Sequence, residues 1–196
     1  NRSPREYTPP FLMEKVLVNH SALEGERKHV TVVFADIAGF TALSERLDPE
    51  EVHDIMDGCF EILGQEIHGA GGTINQYTGD GVMALFGAPV AYEDHIHRAC
   101  HAALRIQDRL KGYARDVKKQ YGVLFQMRIG IHAGPVVVGA IGDNLRLDYT
   151  AIGDTTNLSA RLESLAAPGG ILVSHTIQTA AQTFFRFRKE GHFDIK

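Results

Sequence analysis

Residues 30–41, VTVVFADIAGFT, constrain this chain more than any other stretch. The β-rich apolar run Val30, Val32, Val33 and Phe34 predicts a strand buried on both faces. The run gives out at Asp36. Ala38 and Gly39 then permit a tight turn into a helix whose first N–H groups lack intrahelical partners. A carboxylate at a strand end, beside a helix N-terminus, suits a metal ion and a phosphate chain held together. It suits a plain N-cap for the next helix equally well. Choosing between the two requires a second acid.

The rest of the chain limits the setting. Its 196 residues suffice for one domain with a proper core. An apolar share of 44% with 22% charged residues is ordinary for a soluble globular protein. A formal net charge of −4 argues against nucleic-acid binding by general electrostatics, yet leaves small anionic ligands open. There is no apolar run of the roughly 18 residues that membrane insertion needs, and no signal-peptide pattern. Cys59 and Cys100 are too few for a disulfide framework, and the expected setting is a reduced cytoplasm. The chain begins without methionine, so a piece of a larger protein with regulatory domains elsewhere is expected.

Residues 1–26 read as a polar, proline-containing linker with a short helix. After the strand at Val30 comes a short helix over Thr41–Arg46. Asp48-Pro49-Glu50-Glu51 then carries a capping box with proline at the first helical position. Val52, Ile55, Met56, Cys59, Phe60, Leu63 and Ile67 recur at helical spacing behind it. Thr73–Gln76 and Val82–Phe86 predict two strands joined by a tight turn at Tyr77–Gly81, which holds Asp80. A long helix is expected from Glu93 to about Lys119. Leu124–His132 alternates as a half-buried strand, and Gly134-Pro135 predicts a turn into a buried strand, Val136–Ile141. Further elements are a strand at Arg146–Ile152, a helix from Asp154 to Leu165 and a short strand at Ile171–Val173. A helix capped by Ser174 follows to Ala181, with closing strands at Phe184–Phe187 and His192–Ile195. Hairpins between the alternating strands and helices point to an α+β sandwich, its antiparallel or mixed sheet carrying helices on one face.

If the strands carrying Asp36 and Asp80 are neighbours, the two carboxylates meet at one sheet edge. With substrate phosphates they would form a site for paired Mg²⁺ ions. The alternative is two unrelated turn acids. Asn157 and Arg161, four residues apart, share one helix face and suit a ribose and a phosphate, though by themselves an exposed polar face is the better reading. His95, His97 and His101 lie on one helix; without a third ligand nearby they read as a solvated face, not a zinc site. Cys59 and Cys100 read as core residues, and Lys118-Lys119 as a surface pair.

Three segments carry a family resemblance in order and spacing: Val33–Thr41 (VFADIAGFT), Tyr77–Gly81 (YTGDG) and Gly153–Arg161 (GDTTNLSAR). Over residues 27–196 the chain resembles the class III nucleotidyl cyclase catalytic domain. The resemblance implies a ferredoxin-like α/β sandwich with a mostly antiparallel sheet and helices packed on it. It also implies that Asp36 and Asp80 bind two Mg²⁺ (or Mn²⁺) ions with the Ile37 carbonyl as an extra ligand. Backbone amides of Ala38, Gly39, Phe40 and Thr41 would meet the β- and γ-phosphates. Asn157 would orient the ribose, and Arg161 would stabilise charge on the α-phosphate. In the family these two sets come from different subunits, so a head-to-tail homodimer with shared sites is expected.

Base recognition falls to Gln76 and Thr150. Thr150 matches the threonine-bearing, mostly bacterial adenylyl branch. Gln76 matches neither the lysine common in adenylyl cyclases nor the glutamate common in guanylyl cyclases. A phosphate-binding lysine follows the family's last strand, at or just beyond Lys196. The expected activity is conversion of ATP to cyclic AMP and pyrophosphate. The alternatives are a guanylate or relaxed-specificity purine nucleotide cyclase, or a non-catalytic cyclase-like regulatory module.

Overall fold

The computed structural model describes residues 26–138, 154–191 and 193. Among the described residues, strand β1 (Glu26–Ile37) lies at the centre of a five-stranded sheet. Around it are β2 (Thr73–Tyr77), β3 (Gly81–Phe86), β4 (Met127–Val138) and β5 (Ile171–Val173), in the order β2-β3-β1-β4-β5. Every pairing is antiparallel except β4 with β5, which is parallel. The mixed, mostly antiparallel α+β architecture is therefore the one expected.

The helices are α1 (Phe40–Ser44), α2 (Pro49–Gly69), α3 (His95–Tyr121), α4 (Asp154–Leu165) and α5 (His175–Ala181). At the start of α2 the Asp48 amide donates to Glu51 Oε2 at 3.1 Å, and Pro49 occupies the first turn. Such a cap is worth roughly 1 kcal/mol. Helix α3 stops at Gly122, whose left-handed φ of 71° is cheap only for glycine. Ser174 caps α5 by accepting from the Ile177 amide.

Strand alternation divides the sheet into two faces. Val33, Ala35, Ile37, Ala84, Ile129 and Ile131 point toward α2 and α3 and share one core with Ile55, Leu63, Ile67 and Ile106. Val30, Val32, Met83, Leu85 and Val136 form a second buried cluster on the other face. Helix α4 crosses that second face, so helices cover both sides of the sheet and not one alone. A Cβ at Gly134 would sit 2.5 Å from Thr155 Oγ1, and one at Gly130 would overlap the α4 backbone itself. Glycine lets α4 lie directly on β4.

Two local expectations fail. Gly134-Pro135 makes no turn: β4 runs straight through it, with Val30 opposite Gly134 and His29 opposite Pro135. Proline lacks an N–H, but its place in the ladder shares the phase of Ile129 and Ile131. The Ile129 amide and the Ile131 carbonyl both bond toward the β5 side. Since β5 ends at Val173, no strand among the described residues pairs with Pro135 on that side. Its carbonyl accepts instead from Thr155 Oγ1, at 2.9 Å.

Phe184–Phe187 is likewise not a strand. Its rings close over α3: Phe184 lies edge-on to His97 at 4.5 Å, and Phe185 meets His101 at 4.8 Å. The His97 face is thus packed with aromatic rings and is not simply solvated. Cys59 and Cys100 are buried, as expected. The expected strand at Arg146–Ile152, the end of Val136–Ile141, nearly all of the linker at 1–26 and most of His192–Ile195 lie outside the described residues.

Candidate active site

Asp36 stands one residue before the end of β1, with Gly81 opposite on β3 and Arg128 opposite on β4. Its even position places it on the α4 face of the sheet. Asp80 immediately precedes β3, and its carbonyl accepts the Ile37 amide at 3.1 Å. That approach depends on Gly81, where a Cβ would overlap the Ala35 carbonyl oxygen. The two acids, remote in sequence, are thereby brought together at one strand end.

The electrostatics record the crowding. Asp36 is pushed up to about 6, by burial first, then by the neighbouring Asp80 carboxylate and by Glu163 nearby. The Arg128 guanidinium pulls the other way; its Nη2 donates to Asp36 Oδ2 at 3.0 Å. Glu163, on α4, is also raised by its burial, against the pull of Arg128. Two carboxylates at one strand end, with the Arg128 guanidinium beside Asp36, have the donor set and excess negative charge that suit a divalent cation. Among the described residues no group of three His, Cys, Asp or Glu side chains is arranged to hold a metal ion. Magnesium is commonly held by one or two carboxylates, with substrate phosphates and water completing its shell.

Of the expected phosphate donors, the Ala38 amide is already engaged, donating to the Gln126 carbonyl at 2.9 Å. Gly39, with φ 72°, turns the chain into α1, so the Phe40 and Thr41 amides open that helix. Gln76 reaches the site's face by an irregularity that the sequence does not announce. Ile74 pairs with Ala84, but Gln76 pairs with Met83, so Asn75 is the extra residue of a β-bulge. Without the bulge Gln76 would turn toward α2. With it, Gln76 is exposed on the same face as Asp36. Thr150 and Lys196 lie outside the described residues.

Asn157 and Arg161 are both exposed, on the side of α4 turned away from the sheet. Thr155, Ser159, Leu162 and Glu163 form the buried side. Ser159 Oγ pins that side to the sheet through the Val32 carbonyl at 2.8 Å and the Gly130 carbonyl at 3.2 Å. Within one chain, then, the Asn157/Arg161 pair faces away from the strand end that carries Asp36.

Sequence reasoning missed Arg128 and Glu163. Arg128 is visible only as a polar step in an alternating strand, and its place beside Asp36 depends on the β1/β4 register. Glu163 lies two residues beyond Arg161 and gives no sign that it turns inward.

Comparison with known proteins shows the family. The adenylate and guanylate cyclase catalytic domain family matches residues 24–196. The chain belongs to that family. Among cyclase relatives, adenylate cyclase 1 of Rhizobium meliloti is 37% identical over 84% of this chain, and the match spans 25% of that protein. A membrane guanylyl cyclase of Dictyostelium discoideum is 32% identical over 85% of the chain and 11% of its own length. The chain thus spans a quarter or less of these two relatives. The solved adenylyl cyclase CyaB from P. aeruginosa superposes with a TM-score of 0.83 at 33% identity, covering 88% of this chain and 90% of that one. The guanylyl cyclase Cya2 gives 0.75 at 37% identity, covering 81% and 80%. No helix among the described residues of this cyclase domain is long and apolar enough to cross a membrane.

Proposed function

We propose that this domain is an adenylate cyclase, converting ATP to 3′,5′-cyclic AMP and pyrophosphate at sites shared between two copies of the chain in a cytoplasmic protein. The observation that carries the shared site is the opposition within one chain. Asp36 and Asp80 meet at a strand end, while Asn157 and Arg161 point outward from the far side of α4. A head-to-tail homodimer brings each outward pair to the other chain's acids and creates two equivalent sites.

Asp36 and Asp80, with the Ile37 carbonyl, are the groups that would hold two Mg²⁺ or Mn²⁺ ions. When bound, the metals lower the pKa of the ribose 3′-hydroxyl and neutralise the departing pyrophosphate. The remaining work belongs to the chain. The amides of Gly39, Phe40 and Thr41 receive the β- and γ-phosphates at the start of α1. Asn157 holds the ribose so that the 3′-oxygen lies in line with the α-phosphorus and the leaving oxygen. Arg161 places a delocalised cation against the charge that grows on the α-phosphate. Gln76 and Thr150 read the purine.

Support for ATP comes from the adenylate cyclases among the relatives and from Thr150; Gln76 leaves GTP as the second reading, supported by the guanylyl cyclases among the same relatives. A steady-state assay with Mg²⁺ or Mn²⁺ and each of ATP and GTP decides. Cyclic AMP as the dominant product is expected. Dominant cyclic GMP would establish the second reading, and no product from either nucleotide in a verified dimer would leave a non-catalytic module.

A further inference from the structure

We propose that Glu163 is a positioning residue for the metal-binding edge: acting through Arg128, it sets how tightly Asp36 and Asp80 hold a divalent cation. The inference rests on the metal reading of those two aspartates given above.

The geometry begins at Gly130. Because it has no side chain, the α4 backbone settles directly onto β4, with the Glu163 amide against Gly130. Arg128, two residues earlier on the same strand face, emerges beside the Glu163 carboxylate. Arg128 Nε and Glu163 Oε1 lie 3.1 Å apart. Both atoms are sealed from solvent, and neither makes a hydrogen bond of good geometry. What joins them is charge, in surroundings where water screens little. The other end of the same guanidinium donates to Asp36 Oδ2.

One arginine is therefore shared between an acid on α4 and the acid pair at the strand end. Arg128 and an incoming cation compete for the same Asp36 oxygen. Glu163 draws part of the guanidinium's charge away from Asp36, so the Asp36–Asp80 pair keeps an excess of negative charge for the metal. Without the Glu163 charge, Arg128 has a single anionic focus and becomes an internal counterion that the metal must displace. Glu163 is far from isolated packing filler: its carboxylate also accepts from Ser164 Oγ, at 3.3 Å, and the residue is 7% exposed.

The test is Mn²⁺ binding to the whole domain without nucleotide, read as loss of the free-ion paramagnetic resonance signal, with thermal melting as a control for folding. Glu163→Gln keeps the shape and removes the charge; it should weaken Mn²⁺ binding about five- to twentyfold with an unchanged melting temperature. In an Arg128→Met background the same substitution should change binding less than about twofold, because the route through Arg128 is gone. Glu163→Asp should recover part of the affinity. An equal loss in both backgrounds would show direct action on the cation and overturn the proposal, as would no loss in either. Asp36→Asn isolates the underlying reading. If it abolishes Mn²⁺ binding while Glu163→Gln has no effect, only the tether fails; if Asp36→Asn binds like the parent, the metal reading fails and the tether with it.

Discussion

Gly130 of β4 lies so close beneath Ser159 of α4 that a Cβ at Gly130 would overlap the Ser159 carbonyl oxygen. The outward reach of Asn157 and Arg161 depends on this contact, since both ride on the helix that Gly130 admits. Gly130→Ala should cost about 1–3 kcal/mol, a melting-temperature fall of roughly 3–10 °C. Activity should fall more than the folded fraction does, because a lifted α4 misplaces Asn157 and Arg161, the pair proposed to act on the ribose and the α-phosphate. Cyclase activity measured well below the melting point checks this; an unaltered kcat would show that α4 is free to shift without consequence.

Asp36 should make the metal-free protein less stable as pH rises. Its carboxyl is pushed up to about 6, above the ordinary 3.8, by burial and by the neighbouring Asp80 and Glu163. The fold therefore prefers the protonated form, and the stability this group contributes is complete below about pH 4 and lost as pH climbs through 6. Asp36→Asn stays neutral throughout. In chelator it should exceed the parent at pH 8 by on the order of 1–2 kcal/mol, a figure reduced to allow for partial exposure. The advantage should fade below about pH 5. Urea denaturation of both proteins across pH 4–8 measures it, and a constant difference across that range contradicts the assignment.

The β-bulge at Asn75 gives Gln76 its place on the site's face, so a change of its chemistry should change the base that is read. Lysine offers only donors and suits adenine N1, whereas a carboxylate only accepts and suits guanine N1–H; the Gln76 amide can do either. Gln76→Lys should raise the ATP-to-GTP ratio of kcat/KM, and Gln76→Glu should lower it, each about tenfold. Ratios that do not move in either variant would remove Gln76 from base recognition.

Much of the fold was legible because its signals are local. The capping box at Asp48, the apolar stripe through Ile55, Cys59 and Leu63, and the Asp154–Leu165 helix need nothing beyond their own neighbourhood, and all are present. Gly134-Pro135 misled because the same residues serve a turn or a strand beside a glycine-seated helix; α4 and the short reach of β5 decide between them. Phe184–Phe187 misled because its aromatic residues have high β-propensity, and packing against His97 and His101 overrides it. At the site, Asp36 and Asp80 were legible as turn acids. Arg128 and Glu163 were not, since both depend on strand register and on which way α4 faces, and these are properties of the assembled sheet.

If each site draws Asp36 and Asp80 from one chain and Asn157 and Arg161 from another, two inactive variants should repair each other. Asp36→Ala and Asn157→Ala homodimers each carry the same lesion in both sites and should show almost no activity. In a heterodimer one site collects both lesions and the other collects neither. Random assortment makes half of the dimers mixed, and each mixed dimer has one good site of two, so the mixture should recover about a quarter of parental activity. Mixing after separate purification, with differently tagged chains to count heterodimers, makes the yield interpretable. Recovery that tracks the heterodimer fraction supports the shared site. A mixture no more active than its components, with heterodimers present, would mean that each chain completes its own site, and that α4 must then turn Asn157 and Arg161 back toward Asp36.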